Sequence, residues 1–302
     1  MKRNATLPFN YQEFPITSPL LLSQVVNVAS VTQLSPFRYP GGKTWLVPRV
    51  IQWIKSRPRV TEFVEPFVGG GIVSLTVADQ NLADHVTIVE KDEQVVAVWR
   101  TIFEGEAEWL INEILNFEIT YENVIEKLME HPSSQRDLAF QTILKNRTFH
   151  GGILAPGSAP LKHGENGKGI RSRWYPETLA KRIRRISAFS NRITVSHGDG
   201  IEAISHYSKF QNSAFFIDPP YSAAGKRAGR RLYTHFELDH HRLFETTNSV
   251  VGDFLMTYDD NEEIRGLAKK FGFDCNVIAM KNTHHAEMKE LLIGRDLSWC
   301  EI

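Results

Sequence analysis

From residue 60 onward, short β-branched runs recur at 60–64, 86–89, 193–195, 214–217 and 250–258, with helix-length stretches between most of them. Runs this short are strands, and strands separated by helix-length connections must lie parallel, so the pattern predicts a mostly parallel sheet with helices on both faces. The runs at 275–280 and 290–294 lie too close together for a crossover helix and predict an antiparallel pair at one edge. Between residues 99 and 189 the strand signal vanishes. Helical patterns at 109–117, 123–129 and 137–144 lead there into a Gly/Pro-rich loop, 151–169, and a basic helix at 176–189. This stretch reads as a subdomain inserted into the sheet-forming chain. Residues 1–33 carry three prolines and little periodicity, and read as an appended arm with no legible role.

Composition narrows the class. The 302 residues suffice for one large domain or a domain with a substantial insert, and 42% hydrophobic with 23% charged residues excludes disorder as the whole answer. The 35 basic residues balance 35 acidic ones, so only local charge can indicate a partner. Cys275 and Cys300 show no CxxC or Cys/His spacing, which argues against disulfides and zinc and fits a reducing cytoplasm. Residues 4–15 hold no continuous apolar stretch, and 20–31 is interrupted by Ser23, Gln24 and Asn27, so neither a signal peptide nor a membrane span is expected. The pairs His240-His241 and His284-His285 point in diverging directions and lack ligand spacing, so no metal site is expected.

The sharpest chemical signal is Asp218-Pro219-Pro220-Tyr221, directly after the apolar run 214–217. Open parallel sheets bind ligands outside the carboxyl ends of their strands, which is where this tetrapeptide falls. The prolines stiffen the turn and donate nothing, leaving the Pro219 carbonyl beside the Asp218 carboxylate as a second acceptor. Two adjacent acceptors suit a planar exocyclic amine, whose lone pair must be drawn out of ring conjugation before it attacks. Tyr221 offers a ring on which a heterocycle can stack. The second signal is Glu65-Pro66-Phe67-Val68-Gly69-Gly70-Gly71 after the first strand, a glycine-rich turn with the freedom to approach a ligand closely. Glu90 ends the second strand, at the spacing from which an acidic residue accepts from ribose hydroxyls.

Phe37-Arg38-Tyr39-Pro40-Gly41-Gly42-Lys43, then Glu65 to Gly71, then Asp218-Pro219-Pro220-Tyr221, in that order, resemble the DNA adenine-N6 methyltransferases of the Dam type from about residue 35 to 293. The resemblance implies an α/β fold: a seven-stranded, Rossmann-like sheet of the S-adenosylmethionine-dependent methyltransferases, with an inserted, mainly helical DNA-recognition subdomain. The catalytic domain is then 34–100 plus 191–302, and the recognition subdomain 101–190. It also implies S-adenosylmethionine as cofactor, held by Tyr39, Lys43, Glu65, Phe67, Gly69, Gly71 and Glu90, with Lys43 at the cofactor carboxylate. Asp199 corresponds to the family's acidic residue near the cofactor adenine, although an Asp following Gly198 also suits a turn or helix cap. Asp218, Pro219 and Tyr221 take the catalytic roles.

The resemblance further implies double-stranded DNA as partner, through Asn146 and Arg147 of the segment Asn146-Arg147-Thr148-Phe149-His150-Gly151-Gly152. Residues 162–192 add nine basic side chains against Glu165 and Glu177, a local charge of +7. Of these Lys162, Lys168, Arg171, Arg173, Arg182, Arg184 and Arg185 are expected at phosphates, because a duplex rewards clustered cations through counterion release. A second basic stretch, 222–232, carries Lys226, Arg227, Arg230 and Arg231 with no acid, and either clamps the DNA strand or is a plain surface loop. A cognate restriction endonuclease is a partner open to such an enzyme; oligomeric state and recognition sequence are not legible. Two rivals stay open: cytosine N4, an RNA adenine or a protein amide as the acceptor, and a DNA-binding protein that keeps the fold without turnover.

Overall fold

The structure is a computed structural model describing residues 31–39, 41–164, 167–220, 237–281 and 287–301. The arm up to residue 30, Tyr221, the basic stretch 222–232 and the pair His284-His285 lie outside the described residues. No helix among the described residues is long and apolar enough to cross a membrane.

Seven strands form one sheet in the order β3-β2-β1-β4-β5-β7-β6. They are β1 (Val60–Glu65), β2 (Ala83–Glu90), β3 (Ile193–His197), β4 (Ser213–Ile217), β5 (Asp253–Asp259), β6 (Asp274–Lys281) and β7 (Glu287–Gly294). The first five pair in parallel, and β7 runs antiparallel to both β5 and β6. The antiparallel pair sits at one edge as its spacing predicts, but the later strand takes the inner place. Its Leu291, Leu292 and Ile293 are fully buried, whereas Asp274 at the start of β6 is exposed, as the inner and outer places require.

Side chains alternate across the sheet. Ala214 and Phe216 of β4 belong to one core cluster, and Phe215 and Ile217 to the other. Both faces must therefore be covered, as the unbroken apolar run requires. Helices α1 (Val47–Lys55), α2 (Ile72–Asp79) and α3 (Glu93–Phe103) contribute to the first cluster. The second cluster takes Ile201 and Ile204 of α8 (Gly200–Tyr207), Leu243 and Phe244 of α9 (His240–Asn248), and Ile264 and Ala268 of α10 (Glu262–Phe271).

The insert holds α4 (Ala107–Asn116), α5 (Tyr121–Met129), α6 (Gln135–Thr148) and α7 (Pro176–Ser187). Its Leu110, Ile114, Phe140, Ile143 and Ile183 join the same continuous cluster as Val95 and Trp99 of α3. The boundary expected between residues 100 and 101 falls inside α3, so helical structure runs unbroken from sheet layer into insert. Two of the insert helices start where a side chain meets an orphan N–H, Thr120 accepting from Asn123 for α5 and Ser134 from Asp137 for α6, while α7 opens on Pro176, which has no N–H to satisfy.

Phe216 is fully buried in the middle of the sheet. Phe216→Ala is expected to cost about 3 to 5 kcal/mol in urea denaturation, against under about 0.5 kcal/mol for Val251→Ala on the surface.

Candidate active site

Strand order reverses between β1 and β4, because the chain winds outward through β2 and β3 and then returns to the other side of β1. A crevice opens at the carboxyl ends of such strands. Here it is a cavity of about 1040 Å³, and its wall includes Asp218 and Pro219, the turn from Glu65 to Gly71, Glu90, Asp199, Tyr39 and Lys43. Every described residue expected at catalysis or cofactor binding thus faces one space.

Asp218 leaves the end of β4 with Oδ1 accepting from the Thr257 hydroxyl of β5 at 2.8 Å. The Lys43 ammonium lies 3.1 Å from that same oxygen and 3.3 Å from Glu290 Oε2 of β7. Lys43 is only 3% exposed. Burial works against its charge, but Asp218 and Glu290 outweigh that and hold its pKa above the ordinary value. The lysine expected at a cofactor carboxylate is therefore found paired with two protein carboxylates. Burial also drives Glu290 up to about 7, with Lys43 opposing and Asp218 reinforcing the shift. Sequence reasoning missed both Thr257 and Glu290. Thr257 is signalled only by being polar inside the apolar run from Phe254 to Tyr258, and Glu290, which follows Lys289, carries no such mark.

The glycine-rich turn owes its composition first to the protein itself. Gly69 and Gly71 adopt φ of +44° and +65°, which disfavours any side chain. A Cβ on Gly69 would lie 2.5 Å from the Tyr39 ring, and one on Gly71 would lie 3.1 Å from Trp99. Tyr39, Trp99 and the left-handed start of α2 thus require both glycines within the protein itself, in addition to any room they leave for a ligand. Trp99 Nε1 donates to the Gly69 carbonyl at 3.1 Å, fixing the loop from below. Gly200 was also missed, although a Cβ there would meet the Phe67 ring at 2.5 Å, so this glycine seats Phe67 in the cavity wall.

The acidic residues divide their work. Glu90 accepts backbone N–H groups from Gly69, Lys91 and Asp92 at 2.9, 2.9 and 3.0 Å, which ties the end of β2 to the turn after β1. A carboxylate has about four lone-pair sites, so capacity remains for one further donor. Asp199 caps α8 by accepting from Ile201 N at 3.0 Å and pairs with Lys91 at 3.0 Å, so the capping alternative holds while the residue also faces the cavity. Glu65 accepts from Ser74 N in the first turn of α2 at 3.0 Å. Burial pushes its carboxyl up to about 8 despite that bond.

The insert supplies the opposite wall with Arg147, Arg173 and Arg182, joined by Arg38, which sequence reasoning did not single out. Arg147 is 6% exposed and donates to the Pro36 carbonyl at 2.7 Å. Burial, then the charges of Arg182, Arg38 and Arg173, lower its pKa to about 9. Its Nε and Arg38 Nη1 meet no protein acceptor among the described residues. Asn146, expected at DNA, is wholly buried: it accepts from Arg38 N at 2.8 Å and donates to the carbonyls of Arg38 and Gly152 at 2.9 and 2.7 Å. Its side chain is spent on holding Arg38 in place.

The remaining basic residues separate. Arg184 and Arg185, expected beside Arg182 at phosphates, turn away and form two-bond pairs with Glu108 and Asp79. Helical geometry explains Arg184, since residues two apart do not share a face, whereas Arg185, three on from Arg182, is held aside by its pair with Asp79. Lys162, Lys168 and Arg171 are exposed on the loop after α6, whose arms meet in one antiparallel bridge, Phe149 to Pro160. Tyr221, Lys226, Arg227, Arg230 and Arg231 lie outside the described residues.

The raised Glu65 carboxyl makes a stability prediction. An acid whose folded pKa exceeds its unfolded one stabilises below the unfolded value near 4, and that contribution is lost as pH rises through about 8. Glu65→Gln keeps an acceptor for Ser74 N and removes the titration. Across that window denaturant unfolding should show the wild type losing up to about 1.4 kcal/mol per pH unit more than the variant.

The family model for D12 class N6 adenine-specific DNA methyltransferases matches residues 39–283. No curated protein sequence matches the chain. Among solved structures, a proposed RNA methyltransferase from Pyrococcus horikoshii is 9% identical with a TM-score of 0.40, over 88% of this chain and 92% of its own. The precorrin-6y C5,15-methyltransferase from Geobacter metallireducens GS-15 is 9% identical with a TM-score of 0.38, over 85% and 92%. An rRNA methylase from Streptococcus thermophilus is 11% identical with a TM-score of 0.35, over 83% and 95%. Likenesses this distant carry no information on substrate. The sequence match spans most of the chain and includes Tyr39, the glycine-rich turn and Asp218, all on one cavity, and on it the chain belongs to the D12 class of N6 adenine-specific DNA methyltransferases.

Proposed function

We propose that this protein transfers the methyl group of S-adenosylmethionine to N6 of an adenine extruded from duplex DNA at a specific sequence. The observation that carries the reading is that Asp218 and Pro219 share one cavity with the glycine-rich turn on one side and the arginine wall on the other. An acceptor pair inside a cavity cannot reach a stacked base, and so favours a nucleotide taken out of the helix.

The cavity fits the cofactor that the family implies. Glu90 and Asp199 at the ends of β2 and β3 offer acceptors to its hydroxyls and amine, and Phe67, seated on Gly200, offers a ring face. When bound, S-adenosylmethionine supplies an electrophilic methyl on a sulfonium. Asp218 and the Pro219 carbonyl accept from the adenine amine, bias its lone pair away from the ring, and leave Asp218 as the nearest base for the proton the amine must lose. Tyr221 stacks on the base in this scheme.

Arg38, Arg147, Arg173 and Arg182 would take the phosphates flanking the extruded nucleotide. Like charges gathered at low exposure are costly until an anion compensates them, and a phosphodiester supplies that anion. The exposed pairs of Arg184 and Arg185 each already have an acid, and exposed pairs contribute little either way.

Mass analysis of nucleosides from duplex DNA incubated with the enzyme and labelled cofactor should yield N6-methyladenine; N4-methylcytosine, or label only in RNA or protein, would overturn the assignment. Asp218→Ala should lower turnover by at least about a hundredfold while cofactor affinity by calorimetry stays within a few-fold. Arg182→Ala should flatten the plot of log K against log salt by about 0.9, the value of one phosphate contact, and Arg184→Ala should leave the slope unchanged.

A further inference from the structure

We propose that Glu290 is a positioning residue for methyl transfer: by sharing the buried Lys43 ammonium with Asp218, it keeps Asp218 able to accept from the target amine. This rests on the amine-methylation reading above. The Lys43 ammonium has three donors, and the structure directs them at Asp218 Oδ1 (3.1 Å), at the Glu290 carboxylate (3.3 Å) and at the Gly41 carbonyl (3.2 Å). Two carboxylates therefore divide one cation in a place where both Lys43 and Glu290 are under 5% exposed.

That division matters for Asp218. An amine N–H is a weak donor and needs a carboxylate with charge to spare, whereas an ammonium held by Asp218 alone would take most of it. A carboxylate as buried as Glu290 is costly to keep, and an apolar residue would serve the packing of β7 better, so a purely structural role explains the position poorly. The groups facing Glu290 are Lys43 from the segment before α1, Asp218 after β4 and Asp259, its sheet partner on β5. Its partner on β6, Ile278, brings no charge.

The sign of the pH effect follows. Burial, reinforced by Asp218 and Asp259 and opposed by Lys43, places Glu290 at about 7. Above that pH its carboxylate shares the ammonium. As pH falls through about 7, Glu290 takes a proton from solvent, Lys43 settles on Asp218, and methyl transfer slows.

The test is single-turnover methylation of duplex DNA by the full-length protein from about pH 5.5 to about pH 9, comparing wild type, Glu290→Gln and Glu290→Asp, with cofactor affinity measured alongside. The wild type should show an acid limb with a midpoint near 7. Glu290→Gln should run at least about tenfold below the wild-type plateau with that limb absent, at cofactor affinity within a few-fold; Glu290→Asp should restore the limb, displaced in pH. A glutamine variant with the wild-type plateau overturns the proposal, and so does one that is slower but keeps the limb, since that is loss of structure alone. If the glutamine variant does not fold, or the wild type transfers no methyl group, carboxyl carbon NMR of the wild type decides, with the Glu290 signal assigned through Glu290→Asp. Titration near 7 supports the proposal and titration in the ordinary carboxylate range overturns it. Methylation of cytosine or RNA in place of adenine would fail the adenine reading and still leave the Glu290 comparison readable, because those acceptors are amines too.

Discussion

A strand covered on both faces has only its ends available to a ligand, and β4 is such a strand. Ala214 and Phe216 belong to one core, Phe215 and Ile217 to the other, and the chain exits at Ile217 straight into Asp218. The position of the aspartate is therefore as well determined as the sheet itself. Strand β1 ends beside it in the turn that carries Phe67 and Gly69, and β5 brings Thr257 to its carboxylate. The site is the outlet of the core, and its precision derives from packing several residues away.

The same economy governs the inserted helices. The insert has no separate core: Phe140 and Ile183 share a cluster with Trp99, and Trp99 in turn holds the Gly69 carbonyl. Asn146 of α6 grips the backbone of Arg38 from both its N–H and its carbonyl, one residue before Tyr39 fills the space over Gly69. An unbroken set of packed and hydrogen-bonded groups thus links the arginine wall to the glycine-rich turn. The two walls of the cavity are set by one another.

The fold was legible because its signals are local. Short β-branched runs, the prolines after Asp218 and the glycines after Phe67 each act on the backbone within a few residues, and all landed where the pattern puts them. What was not legible depends on pairing between distant strands. Thr257 inside an apolar run and Glu290 beside Lys289 acquire meaning only because β5 adjoins β4 and β7 adjoins Lys43. The inner place of β7 was hidden for the same reason, since period and length are alike for both members of a hairpin. Basic residues were the poorest guide: Arg182, Arg184 and Arg185 are near neighbours in sequence, yet only the first reaches the cavity, and Arg38 reaches it from far upstream. Asn146 and Gly71 were sensed as important, but each serves the protein's own backbone before it serves any ligand.

The inner position of β7 has a bearing on biosynthesis. As the chain emerges from amino to carboxyl end, β5 is made with one flank open, and β6 cannot close it, because that place belongs to a strand not yet translated. An open flank of a sheet is prone to pair with other chains, so the nascent protein is exposed to aggregation until its final strand arrives. That strand also carries Glu290, so a ribosome-bound or prematurely ended product lacks both the sheet's completion and the second partner of Lys43. A chain that stops short of β7 therefore has a cavity with part of its lining missing.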